Sequence, residues 1–284
     1  MSFPQPYVPL ASSVAHHLVQ WEVPHVVRVS FHRKPVNALS EALWRETQRI
    51  FDHLHSDGDV RAVVLSGEGR CFTAGLDLFD ANLGEIMEAG SDVARKAFLM
   101  RQHVQDFQAA ISSIEKCEKP VIGAAHSISI GGAIDILCAC DVRYCSTDVV
   151  FSIKEVDVGL AADLGTLQRF PKIVGNDSRS RELAFTARNF DAKEAQEIGF
   201  VSKIVDGGQK GVVAEAIKTA ALIATKSPVA VRSTKALMVY SRDHSVEEGL
   251  RYTSIWNAAM LQSEDLLAAM AAAMQKTTAT FAKL

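Results

Sequence analysis

Apolar residues recur along the chain with two periods, and the period changes from one segment to the next. Val26–Phe31 alternates as a short strand does. After Ser40, a side chain suited to capping a helix, Leu43, Ile50, Phe51 and Leu54 fall on one helical face. Val60–Leu65 reads as a second strand that runs into a glycine-rich turn. Met100, Val104, Phe107, Ile111 and Ile114 repeat like one face of a long helix. Pro120–Ala125 predicts another strand, Gly131-Gly132 then opens a helix to about Cys140, and Val149–Ile153 predicts a further strand. Asp191 and Glu194 have the spacing of a capping box, and Gly199 stops the short helix they begin. From about Gly208 the pattern is helical throughout, with Pro228 near the start of one helix and Val246–Thr277 rich in Ala, Leu and Met. Leu266, Leu267, Met270 and Met274 form an apolar stripe expected to pack against the core or a neighbouring subunit. The layout predicts a mixed α/β core over 1–207 and a helical oligomerisation region over 208–284.

Composition narrows the classes of function. A chain of 284 residues, 48% hydrophobic and 22% charged, buries a sizeable core and is neither disordered nor a small disulfide scaffold. A formal charge of −3 gives no global support for nucleic-acid binding. Cys71, Cys117, Cys138, Cys140 and Cys145 contain no C-x-x-C pair and read as buried thiols rather than metal ligands. Met1–Leu10 carries three prolines and no basic segment, so no secretory signal is expected there. Val121–Cys140 is the longest apolar stretch, but His126, Asp135 and three glycines mark a buried strand–turn–helix rather than a membrane span. Ala282-Lys283-Leu284 differs from the peroxisomal S-K-L address by one small-for-small change. It reads as an exposed, flexible address for an import receptor, or else as a chance ending on a frayed helix.

Two glycine turns carry the candidate chemistry. Cys71–Leu78 follows a strand and is built of small residues around Gly75, so its backbone N–H groups can approach a ligand. Ser129–Asp135 repeats the device with Gly131-Gly132 at a helix start, where free amides and the helix dipole favour negative charge. Two such amides on one carbonyl oxygen would stabilise an enolate, each by roughly 3 kcal/mol. Neither turn has the G-x-x-x-x-G-K-[ST] pattern of a phosphate loop.

Phe72–Leu78 and the Gly131-Gly132 turn resemble the two signatures of the enoyl-CoA hydratase/isomerase (crotonase) superfamily, a likeness that runs from about Val26 to Trp256. It implies an α/β fold, the crotonase (ClpP-like) spiral of ββα units with a C-terminal helical trimerisation region. It also implies acyl-CoA thioester substrates and a homotrimer or dimer of trimers. By position, the backbone N–H groups of Leu76 and Gly132 would form the oxyanion hole. Ala74, Gly75, Leu76, Asp77, Leu78 and Gly132 would line the substrate. Arg33 and Lys34 stand where the family often places cations near CoA phosphates, or else in a solvated turn.

Three acids stand where they would face a thioester: Asp135 inside an apolar run, Glu155 after a strand, and Asp163 eight residues later. A carboxylate among apolar residues is costly to bury unless hydrogen-bonded or kept for function. Asp163 also fits a helix N-cap before Leu164-Gly165-Thr166, and Asp157 is better read as a salt-bridge partner. Lys154–Asp163, continuing to Arg169, closely resembles the Δ3,5-Δ2,4-dienoyl-CoA isomerases, whereas a hydratase has glutamate at the position of Asp135 and glycines around Asp163. That resemblance implies proton transfer between carbon two and carbon six by Glu155 and Asp163, with Asp135 orienting or tuning them. It implies neither metal, nicotinamide nor flavin. The alternatives are an enoyl-CoA hydratase or a Δ3-Δ2-enoyl-CoA isomerase, for neither of which Asp163 is required. A non-catalytic binding protein of the same fold would need a basic stripe or lost carboxylates, and the sequence has neither.

Overall fold

Val26, Val27, Val29 and Phe31 are all fully buried, and a strand hidden on both faces needs a covering layer on each side. The computed structural model, which describes residues 3–78 and 92–284, supplies both layers. Its main sheet contains β1 (Gln5–Pro6), β2 (His17–Val23), β3 (Val26–Phe31), β4 (Ala62–Gly67), β5 (Val121–Ala125), β7 (Val142–Ser146) and β10 (Lys203–Val205), adjacent in that order. From β3 onward the pairing is parallel, with Val26 opposite Ala62, Val63 opposite Val121 and Ile122 opposite Val142. A smaller sheet holds β6 (Ile128–Ile130), β8 (Val150–Ser152) and β9 (Phe190–Asp191).

Alternation along β4 divides the core. Val63 and Leu65 face a large cluster with α1 (Glu41–Ser56), α2 (Val93–Lys116) and α3 (Gly132–Ala139). Ala62 and Val64 face the other way, onto Val212, Ala216 and Ala220 of α7 (Gly208–Ala224). Small residues on α7 let it lie close to the sheet, so it packs into the body of the protein. The antiparallel β2 is fastened to α1 by Glu46, whose carboxylate accepts from the amides of Ala15 (2.8 Å) and His16 (2.9 Å) and from His17 Nδ1 (2.6 Å).

The remaining helices are α4 (Thr166–Val174), α5 (Asp177–Thr186), α6 (Ala192–Glu197), α8 (Pro228–Arg242), α9 (Val246–Met260) and α10 (Glu264–Gln275). Ser40 caps α1 as expected, accepting from the Leu43 amide. The predicted capping box at α6 is only half formed: Asp191 caps Glu194, but the Glu194 carboxylate pairs with Arg188 instead of the cap amide. The Ala-, Leu- and Met-rich segment Val246–Thr277 forms two helices. The chain breaks after Met260 and Ser263 caps α10, while α9 opens on a complete Ser245–Glu248 capping box.

Leu267, Met270 and Met274 are exposed, so the stripe on α10 does not pack against the core. The side chains at the chain end are exposed, yet the tail is not free. Arg61 Nη2 donates to the carbonyls of Phe281 (2.7 Å) and Ala282 (3.3 Å), and Lys283 lies 3.5 Å from Asp59. All five cysteines are buried thiols, and no described helix is long and apolar enough to cross a membrane.

Candidate active site

The two glycine turns meet at the C-terminal ends of β4 and β5, where open parallel sheets gather their ligands. Asn37, with φ of 53°, sets the frame of the first turn, its Nδ2 donating to the carbonyls of Glu68 (2.9 Å), Cys71 (3.0 Å) and Phe72 (3.1 Å). Leu39 then bridges Leu76: its amide donates to the Gly75 carbonyl (2.8 Å) and its carbonyl accepts from Asp77 (3.2 Å). Bonds from residues 75 and 77 to one side turn the Leu76 N–H to the other. Gly132 is the first residue of α3, where an amide has no acceptor within the helix. Neither amide meets an acceptor among the described residues.

Glycine is required at both turns. Gly75 has φ of +85°, and a methyl group there would come within 2.9 Å of the Ile130 carbonyl and 3.5 Å of the Gly132 nitrogen. Gly131 has φ of +57°, and a methyl group there would lie 3.6 Å from Glu155 Oε1 and 3.7 Å from the Gly75 Cα. The two turns and Glu155 therefore share one cleft. The Gly131 amide donates to the Ser152 carbonyl at 2.9 Å, tying the second turn to the end of β8, from which the chain enters the 3₁₀ turn Glu155–Val158.

The three acids differ in their partners. Asp135 is buried on α3, and its Oδ1 accepts from the Thr166 amide at 2.6 Å, so it caps α4 from another helix. Asp163 is not that cap; its stretch leads to Gly165, the residue before α4. Asp135 Oδ2 and Glu155 Oε2 are buried without a partner. Burial pushes the Asp135 carboxyl up to about 6, with the Asp163 charge adding to it and the Thr166 hydrogen bond opposing. Burial pushes Glu155 up to about 7, and the nearby Asp135 charge raises it further. Asp163 is exposed, and partial desolvation of its carboxyl raises it against the pull of His103. Carboxyls displaced toward neutrality beside two unengaged amides can accept and return protons while a negative oxygen is held.

Sequence reading therefore places Leu76, Gly132, Glu155 and Asp135 around one cleft. Ala74 is anchored by its amide to the Val36 carbonyl (3.0 Å), and Leu78 is exposed. Arg33 does not stand free for an anion: its Nη2 pairs with Asp77 at 2.6 Å, clamping the two sides of the first turn, whereas Lys34 is exposed. Asp157 pairs with Lys154 at 2.7 Å. Asn37, Leu39 and Thr166 were not legible from the sequence, since they act largely through backbone groups. An asparagine just past a strand was the one available signal.

The profile of the family described as "Enoyl-CoA hydratase/isomerase" matches residues 23–283. The chain is 47% identical over 265 residues to the mitochondrial Δ(3,5)-Δ(2,4)-dienoyl-CoA isomerase of Rattus norvegicus, covering 92% of this chain and 80% of that protein. It is 45% identical over 251 residues to the peroxisomal Δ(3,5)-Δ(2,4)-dienoyl-CoA isomerase of Arabidopsis thaliana, covering 88% and 89%. Among solved structures, an enoyl-CoA hydratase from Bacillus anthracis superposes with a TM-score of 0.84 at 28% identity, over 94% of this chain and 99% of that one.

Proposed function

The chain belongs to the enoyl-CoA hydratase/isomerase family, and from that premise we infer that it is a Δ3,5-Δ2,4-dienoyl-CoA isomerase using Glu155 and Asp163 as its proton-transfer pair. The observation that carries the reading is Glu155. It lies against the Gly131 turn, with one oxygen unpartnered and its carboxyl near neutrality at about 7. Burial and the Asp135 charge displace this acid toward its neutral form, which suits proton transfer.

One carboxylate removes the proton on carbon two of the 3,5-diene. The C–H electron pair forms a double bond between carbons one and two as the carbonyl π pair moves onto the thioester oxygen. When the carbonyl re-forms, the carbon one–two pair moves between carbons two and three, the carbon three–four pair moves between carbons four and five, and the carbon five–six pair takes up the new proton. The other carboxyl delivers a proton to carbon six. Between these steps the charge rests on the thioester oxygen, which the Leu76 and Gly132 amides hold. No electron is gained or lost, so the transfer calls for no nicotinamide or flavin, and with the two amides supplying the electrophile it calls for no metal. Asp135 fixes the start of α4 through Thr166 and, by its charge, keeps a proton on Glu155.

The test is the ultraviolet absorbance of a 3,5-dienoyl-CoA mixed with the protein after exhaustive chelation. Growth of the conjugated 2,4-dienoyl thioester is expected. An unchanged spectrum would overturn the reading, and hydration of a 2-enoyl-CoA in its place would assign the hydratase alternative.

Assembly and location follow from surfaces outside the cleft. Because Gly208–Ala224 packs on the sheet, oligomerisation falls to α8–α10, where Met238, Leu250, Ile255, Leu267 and Met274 leave apolar faces for a neighbouring copy. The tail Ala282-Lys283-Leu284, once released from Arg61 and Asp59, would serve as a peroxisomal address read by an import receptor, a reading supported by the peroxisomal plant relative though not by the mitochondrial rat one.

A further inference from the structure

Asp163 lies between the 3₁₀ turn and α4, in a stretch that belongs to no helix or strand. A proton-transfer group must hold its geometry closely, because a misplacement of about 1 Å can cost about 10²-fold in rate. Its position must therefore be set from outside, and α2 is the element that reaches it. Gln108 Nε2 donates to the Asp163 carbonyl oxygen at 2.6 Å. Ser112 and Glu115, further along the same helical face, receive Arg169 of α4 at 3.0 and 3.3 Å. On the far side, Asp135 holds the Thr166 amide at 2.6 Å. The stretch carrying Asp163 is thus fixed at Asp163 itself by Gln108 and just beyond it by Asp135 and Arg169.

We propose that Gln108 is a positioning residue for the reaction, its side-chain amide fixing the backbone from which the Asp163 carboxyl projects. The proposal rests on the reading of Asp163 as a proton-transfer group. A carbonyl acceptor requires the N–H end of the glutamine, so donor character is what the position must supply. The bond does not serve to stabilise a helix or strand, since the Asp163 carbonyl belongs to neither. A half-buried glutamine immobilised on a loop carbonyl gives up side-chain entropy, which its effect on the loop offsets. His103, nearer the start of α2, is close enough to favour the ionised Asp163 carboxyl, so the same helix also supplies part of its electrostatic surroundings.

The experiment compares kcat, KM and thermal midpoint for Gln108→Met, Gln108→Lys, Asp163→Asn and the double variant Gln108→Met with Asp163→Asn. Gln108→Met keeps length without a donor and should lower kcat about 10- to 100-fold, leaving KM and the midpoint unchanged. Gln108→Lys restores a donor of similar reach and should recover most of kcat. Adding Gln108→Met to Asp163→Asn should cause no further loss, because the group it positions is already disabled. If Gln108→Met fails to fold, Gln108→Glu at pH 8 replaces it with the same expectations. Parental kcat in Gln108→Met, or an equal fall with and without Asp163→Asn, overturns the positioning role and leaves the Asp163 assignment standing. Parental activity in Asp163→Asn alone overturns the underlying reading, and the positioning role with it.

Discussion

Glu46 and Glu155 are both glutamates withdrawn from water, yet one carboxyl is held down at about 2 and the other pushed up to about 7. Glu46 sits between β2 and α1 with three donors from three successive residues, two of them backbone amides. Glu155 sits at the cleft with an unpartnered oxygen and the like charge of Asp135 nearby. Burial raises both, and the number of donors then decides the outcome. The first region uses an acid to join a strand to a helix. The second keeps an acid poorly satisfied, which costs stability and leaves a proton that can move.

The strongest challenge to that contrast is Asp163→Asn. It should lower isomerisation about 10²–10⁴-fold, because the isosteric change removes only proton-transfer capacity. Steady-state turnover beside a thermal melt checks it, and parental turnover would dissolve the functional half of the comparison.

The same substitution at the two glutamates should next give opposite signs in stability. Glu46→Gln breaks a buried, multiply bonded acid and should destabilise by roughly 3 kcal/mol at pH 8. Glu155→Gln should stabilise at pH 8 by roughly 1–3 kcal/mol while slowing turnover. The Glu155 sign follows from proton linkage. Between the ordinary value of 4.5 and about 7 the folded chain keeps a proton that the unfolded chain has released, so stability falls as pH rises through that window. For Glu46 the window lies between 4.5 and about 2, and stability is lost as pH falls through it. Denaturant midpoints at pH 5 and pH 8 measure the Glu155 window and midpoints at pH 3 and pH 8 the Glu46 window, and equal signs for the two variants at pH 8 would show that donor count does not separate the two sites.

Asp135→Asn should act more gently. It keeps an acceptor for the Thr166 amide but removes a charge that raises Glu155, so the acidic limb of the pH–rate profile should move to lower pH. An unmoved limb would confine Asp135 to capping α4. The smallest effect is expected from deleting Ala282-Lys283-Leu284. Turnover and oligomeric state should match the parent while import into peroxisomes is lost, as read by microscopy of a tagged chain without a full-length partner.

The legible parts of the site were those that one residue type imposes. Gly75 and Gly131 announced themselves because their positive φ disfavours side chains, and at Gly75 the Ile130 carbonyl also leaves no room for one. Asp135 stood out as an acid inside an apolar helix. Leu39, Thr166 and Gln108 did not, since their contributions run to or from main-chain atoms that every residue possesses. The same limit explains Asp163: its place before α4 suggested a cap, while the cap came from a residue on another helix. The break after Met260 falls at Gln262-Ser263-Glu264-Asp265, a polar run whose Ser263 caps the next helix, between two stretches rich in Ala, Leu and Met. The strand β2 was missed because His17, Gln20 and Glu22 interrupt its apolar run.

On the ribosome, the hydrogen bond between Asp135 and the Thr166 amide imposes a schedule. Helix α3 emerges with an acid among buried apolar neighbours and no donor for it until thirty-one further residues have been made. Until then a packed α3 keeps that carboxyl protonated or leaves it at the surface, and either state holds the second glycine turn short of its final place. Glu155 and Asp163 are synthesised inside the same interval, so the nascent chain cannot carry a finished cleft before α4 begins. The buried acid of α3 therefore waits for a donor until residue 166 of 284 has been made.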